Sequence, residues 1–122
     1  MKIELGHLPD PDLNPNKRLH YMAVSRAKRE ARELIGWLSF EQGIPPVPIR
    51  KAHITVTFVS RDKRRRDVDN LFASMKPYID GLVAVGVLLD DSATNVRYTI
   101  QYEHGSSNNT IIEVNAEIQR NP

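Results

Sequence analysis

The feature that most constrains the fold is the run from Arg50 to Val59, in which Ile54, Val56 and Phe58 alternate with His53, Thr55 and Thr57. A period of two, carried by β-branched and aromatic residues, sends one face into a core and the other toward water. On either side the period becomes that of a helix. From about Lys17 to Phe40, Leu19, Met22, Ala23, Ala27, Ala31, Leu34, Ile35 and Leu38 recur at threes and fours, and Trp37 reads as a core anchor. From about Val68 to Val85, Leu71, Phe72, Met75, Ile79, Leu82 and Val83 do the same. Three further runs read as strands: residues 1–5, Val96 to Tyr102, and Thr110 to Ile118. The order β-α-β-α-β-β predicts one α+β domain over 1–122, a mixed sheet covered by helices.

Proline and glycine punctuate this pattern. Pro9, Pro11 and Pro15 mark His7 to Asn16 as an irregular loop, and Gly43 to Pro48 reads as an extended linker. Pro77 removes a backbone donor inside the second helix, which predicts a kink or a split there. Gly86 ends that helix, Asp90-Asp91 turns, and His104 to Asn109 reads as the loop of a hairpin joining the last two strands.

The chain contains no cysteine, which excludes a disulfide scaffold, a thiolate zinc site and a cysteine nucleophile, and fits a cytoplasmic protein. Met1 to Leu5 has no apolar run resembling a signal peptide, and no stretch is apolar enough to span a membrane. The net charge of +2 hides segregated blocks. Lys17, Arg18, Arg26, Lys28, Arg29 and Arg32 cluster early, and Arg61, Lys63, Arg64, Arg65 and Arg66 form a second basic run. Acids gather at 67–69, 80 and 90–91, so the pattern is basic surface around an acidic spot, or simply solvated faces.

The acids have two readings. Asp67 suits an N-cap, Asp69 suits the first turn of a helix, and Asp90-Asp91-Ser92 suits a turn before a strand. Alternatively, the two pairs are oxygen ligands for a hard divalent cation, with arginines at hand for phosphate. A helix of about eighteen residues would be about 27 Å long, and a return of Gly86 to Leu89 cannot cover that distance. The pairs meet only if the helix is shorter, if it folds sharply at Pro77, or if a partner chain supplies one pair. Were they to converge, their repulsion would raise at least one carboxyl. His53, on the polar face of its strand, reads as a surface residue rather than a general base.

The stretch Arg64-Arg65-Arg66-Asp67-Val68-Asp69-Asn70-Leu71, with Lys76, Ile79-Asp80-Gly81-Leu82 and Gly86-Val87-Leu88-Leu89-Asp90-Asp91-Ser92 after it, resembles the signature of the RusA-like Holliday junction resolvases. These are small Mg²⁺-dependent endodeoxyribonucleases common in phages and prophages. The order of elements and the length also resemble that family. The resemblance implies Asp67, Asp69 and Asp91 as catalytic metal ligands, with Asp90 as a neighbouring acid. The family's catalytic lysine lies one turn after the second aspartate, where this chain has Ala73; the candidate here is Lys76, seven residues after Asp69 on the same helix face.

The resemblance further implies a homodimer whose two sites match the two-fold symmetry of a four-way DNA junction, in recombination and repair. Mg²⁺, or Mn²⁺ in its place, would be the cofactor. Arg64, Arg65, Arg66, Lys63, Arg61, Arg26 and Arg29 would hold the DNA backbone without reading sequence. A non-catalytic DNA-binding protein of the same fold and a nuclease for flaps or other branched DNA are the alternatives.

Overall fold

Residues 1–45 and 47–117 are described by a computed structural model, in which β1 (Lys2–Glu4), α1 (Tyr21–Glu41), β2 (Ala52–Ser60), α2 (Val68–Ala73), α3 (Lys76–Ala84), β3 (Val96–His104) and β4 (Asn109–Ala116) succeed one another. The α+β class holds, with the second expected helix divided in two. Pro46 of the expected linker and Ile118 of the last expected strand lie outside the described residues. No helix among the described residues is long and apolar enough to cross a membrane.

The four strands form one sheet in the order β1-β4-β2-β3, with β2 antiparallel to β4 and parallel to β3. The alternation in β2 therefore does what the sequence requires. Ile54, Val56 and Phe58 are fully buried on the helix side, opposite Val114, Ile112 and Thr110 of β4. The other face is polar, where His53 Nε2 lies 2.6 Å from Thr99 Oγ1 and the Thr57 hydroxyl donates to Gln101 Oε1 (3.1 Å). His53 is thus a cross-strand partner.

The expected hairpin is not formed, because β2 lies between β3 and β4. Residues 105–108 step over the end of β2 instead. Gly105 N–H donates to Ser60 C=O (3.0 Å) and Arg61 N–H to Asn108 Oδ1 (2.8 Å). A Cβ at Gly105 would lie 2.6 Å from Val59 Cγ1, so this crossing needs glycine. Two alternating runs with a short loop suggest a hairpin, but local pattern cannot show a third strand inserted between them.

In α1 the buried stripe is Ala27, Ala31 and Ile35. Trp37, expected as a core anchor, is instead 60% exposed. At about 100° per residue it sits about 200° round the helix from Ile35, on the solvent side. Met22 is likewise exposed. The helix starts at Tyr21 rather than near Lys17, because His20 Nδ1 accepts from Met22 N–H (3.2 Å) as the cap.

Helices α1 and α3 cross at very close range. A Cβ at Gly81 would lie 2.8 Å from Ile35 Cβ and 3.1 Å from Arg32 C=O. That contact fixes where α3 lies, and with it the position of Lys76 at its first turn.

Candidate active site at the helix break

The break falls at Ser74-Met75, just ahead of the proline. Ser74 caps α2, its hydroxyl donating to Asn70 C=O (2.9 Å). Pro77 then sits in the first turn of α3, where its missing N–H costs nothing. The expected split is present, and Pro77 begins the second piece rather than bending a continuous helix.

The split shortens the distance between the acids by giving the returning chain a shorter helix to cover. At about 1.5 Å per residue the nine residues of α3 rise only about 13 Å. Gly86, at φ +83°, then reverses the chain: Val87 N–H donates to Leu82 C=O (2.9 Å) and Gly86 N–H to Val83 C=O (3.1 Å). Paired bonds of this kind around a left-handed glycine end a helix and turn the chain back. Leu88 is bridged to Ile49, with Ile49 N–H donating to Val87 C=O (2.9 Å) and Leu89 N–H to Ile49 C=O (3.1 Å). Asp91 is thereby returned to the first residue of α3.

There Lys76 Nζ lies 2.5 Å from Asp91 Oδ2 and 2.7 Å from Asp80 Oδ1. Asp80 first, then Asp91, raises the Lys76 ammonium well above the usual lysine range. Lys76 is a cation held between two carboxylates, and it remains largely exposed.

Asp67 stands at the N-cap of α2, but its side chain makes no cap hydrogen bond; it lies 3.7 Å from Arg65 Nη2. Asp69, in the first turn, is exposed. Asp69 thus holds the first-turn place the sequence allows it, whereas Asp67 lacks the side-chain cap bond. Asp90 faces away into its own turn, accepting from Ser92 N–H (3.3 Å) and Asn95 Nδ2 (3.1 Å). The Ser92 hydroxyl, then Asn95 and the Ser92 amide, hold its carboxyl below the usual value.

The structure therefore brings Asp91, Lys76 and Asp80 together. It does not gather Asp67, Asp69 and Asp91 closely: among the described residues, no three acidic or histidine side chains form a coordinating group. Carboxylate oxygen is the donor type that a hard divalent cation such as Mg²⁺ takes, one or two carboxylates with water or phosphate completing its shell.

The basic residues divide as well. Arg66 is turned inward, its side chain 11% exposed, with Nη1 and Nη2 donating to both Asp62 oxygens (2.7 and 3.1 Å) and Nη1 to Ser60 Oγ (2.7 Å). The Asp62 carboxyl is held far below its usual range, first by Arg66 and then by the Arg64 amide. Arg66 is a clamp on the loop after β2. Arg61, Lys63, Arg64 and Arg65 are exposed, as are Arg26 and Arg29 on the outer face of α1.

Two hollows flank Lys76, sharing it and Ala73. One, of about 540 Å³, lies between the N-terminal loop, α1 and α3 and carries Lys17, Lys28 and Arg32. The other, of about 320 Å³, is walled by Phe72, Met75, Ile79 and Tyr98 with Asp91 at its rim. Phe72 and Tyr98 meet edge to face, ring centroids 5.0 Å apart. Burial, with the Asp91 charge second, raises the Tyr98 phenol. Sequence reasoning did not nominate Asp80 or Tyr98 for the site. The four-residue spacing from Lys76 could have found Asp80; nothing local links Tyr98 to Lys76.

No protein-family model matches the chain. An uncharacterized protein from Xylella fastidiosa (strain Temecula1 / ATCC 700964) is 30% identical over 83 residues, covering 65% of this chain and 54% of that relative. The chain thus spans about half the length of the relative it matches.

Proposed function

We propose that this chain is a Mg²⁺-dependent endodeoxyribonuclease acting on branched DNA, with the four-way junction as its substrate and a homodimer as its working form. The observation that carries this reading is the return of Asp91 to Lys76 at the break between α2 and α3. It sets Asp91 at the junction of α3 with α2, the helix that opens with Asp67 and Asp69. The residues that would hold the metal are Asp67, Asp69 and Asp91; when bound, it supplies an activated water and charge neutralisation at the phosphate. Asp90, bound into its turn, shapes the approach to Asp91.

The chain's own groups have distinct work. Lys76 places a fixed positive charge beside the acids, where it offsets charge developing on a phosphate. Asp80 and Asp91 orient that ammonium through hydrogen bonds from two sides. Arg61, Lys63, Arg64 and Arg65 sit just before Asp67 and hold the DNA backbone by contacts that carry no sequence information. Two copies related by a two-fold axis would present two such sites to a two-fold substrate. A cytoplasmic location goes with this reading.

The test is cleavage of four-way, flap and linear duplex DNA of matched sequence, with Mg²⁺, Mn²⁺ or EDTA. Symmetric cuts in the four-way junction, abolished by EDTA, are expected. Tight binding without cleavage at any metal concentration would overturn the nuclease reading in favour of a binding protein. Preferential flap cutting would move the substrate and leave the chemistry.

A further inference from the structure

The two hollows beside Lys76 differ in chemistry as the two sides of a nucleotide differ. The larger is lined by Lys28 and Arg32 on α1, by Lys17 of the N-terminal loop paired with Asp12, and by Lys76 of α3 paired with Asp80. Lys28 and Arg32 are one turn apart, both exposed along the same edge of α1, with Arg26 and Arg29 on another side. The smaller hollow is apolar and ends on an aromatic ring. Tyr98 is 36% exposed and lies on β3 beside the fully buried Ile54 of β2. Its ring is steadied by the edge of Phe72.

We infer that the apolar hollow is a site for one unpaired nucleobase, stacked on Tyr98, while the basic hollow across Lys76 takes the phosphates of the same strand. Charge complementarity decides the occupant. An apolar hollow next to the Lys28 and Arg32 cations and an acid-bound lysine suits a ligand that is aromatic at one end and anionic at the other. Its volume of about 320 Å³ lies at the low end for ligand clefts and takes a single base rather than a stacked duplex end. A base taken out of its stack is held between aromatic and apolar side chains in this way. Tyr98 is then a positioning residue that sets which nucleotide lies against Lys76 and Asp91. This rests on the nuclease reading for its substrate, but not on the metal.

The test uses full-length protein in EDTA with a four-way junction carrying 5-iodouracil at single positions around the crossover. Irradiation should cross-link one position to Tyr98, identified by peptide mass. Tyr98→Leu should lose that cross-link and weaken binding by about tenfold, the order of one lost base–aromatic stack. Tyr98→Phe should keep both, which a hydrogen-bonding role for the phenol would not allow. The Lys28→Gln, Arg32→Gln double variant should weaken binding and reduce the salt slope by about two, one per phosphate contact. Thermal melting of each variant reports folding separately. Cross-links to Trp37 or Phe40 alone, with Tyr98→Leu binding like wild type, would overturn the base site. Unchanged junction cleavage by Tyr98→Leu would also overturn it and leave the nuclease reading standing. A Tyr98 cross-link in a protein that cuts nothing would support the base site while the nuclease reading fails.

Discussion

Lys76 and Asp91 are fifteen residues apart in sequence and in hydrogen-bond contact in space, joined by a nine-residue helix and a glycine reversal. Lys76→Met should therefore leave Asp80 and Asp91 without their shared cation. Its ammonium is raised in the folded state, so the stability it contributes is fully present below about pH 10.5, the ordinary lysine value, and is lost as pH rises through the higher folded value. Because Lys76 is largely exposed, the loss at pH 7 should be about 1 kcal/mol or less. Urea unfolding at pH 7 and above pH 11 checks the sign: the difference between variant and wild type should shrink at the higher pH.

Asp91→Asn bears on the same contact. If the acids simply repelled one another, removing a charge would stabilise the metal-free protein. With Lys76 against Asp91, the variant should instead melt at the same temperature as wild type or slightly lower in EDTA. Millimolar Mg²⁺ at matched ionic strength should raise the melting temperature of wild type more than that of the variant, since binding only the folded state stabilises it. An equal response in both would remove Asp91 from the metal ligands.

Asp69→Asn should abolish cleavage and leave junction affinity within about threefold, a difference of less than about 1 kcal/mol. The change removes a charge and keeps the shape of an exposed side chain. Gel-shift and cleavage assays on one preparation decide it; retained cleavage at saturating Mg²⁺ counts against Asp69 as a ligand.

The arginine run should separate into two functions. Arg64→Gln with Arg65→Gln should lower affinity for all DNA shapes and flatten the salt dependence without moving the melting temperature. Arg66→Gln should lower the melting temperature by several degrees, since it strips Asp62 Oδ2 and the Ser60 hydroxyl of their donor and leaves Asp62 Oδ1 only the Arg64 amide and the long Ser60 contact. Asp62 is depressed in the folded state, so its contribution is present above the ordinary carboxylate value of 3.8 and fades as pH falls toward the folded value. The Arg66→Gln difference should accordingly narrow at strongly acidic pH.

Gly81→Ala should destabilise by about 1–3 kcal/mol, the usual cost of overpacking, because the added methyl meets Ile35 and the Arg32 carbonyl. Ala84→Gly, at the exposed last residue of the same helix, should cost less, under about 0.5 kcal/mol, since the full propensity cost belongs to a helix interior. Chemical denaturation of the two variants side by side gives the comparison.

The sequence by itself determined what depends on neighbours a few residues away. The period of β2, the helical faces of α1 and α3, the glycine at 86 and the divided second helix are all local consequences of side-chain spacing and backbone freedom. So is the pairing of two acids near the start of α2. Tertiary structure decided everything that depends on which elements lie side by side. Placing β2 between β3 and β4 replaced a hairpin with a crossing loop over Gly105. Packing α1 on α3 through Gly81 turned Trp37 to solvent, since a helix buries only the stripe its partner covers. Arg66 was drawn inward to Asp62 while its neighbours stayed exposed, a distinction invisible in a run of like residues. The site obeys the same rule: spacing shows acids and a lysine, but only the short α3 and the reversal after it set Asp91 against Lys76 and leave Tyr98 facing them, because contact between distant residues is a property of the packed chain.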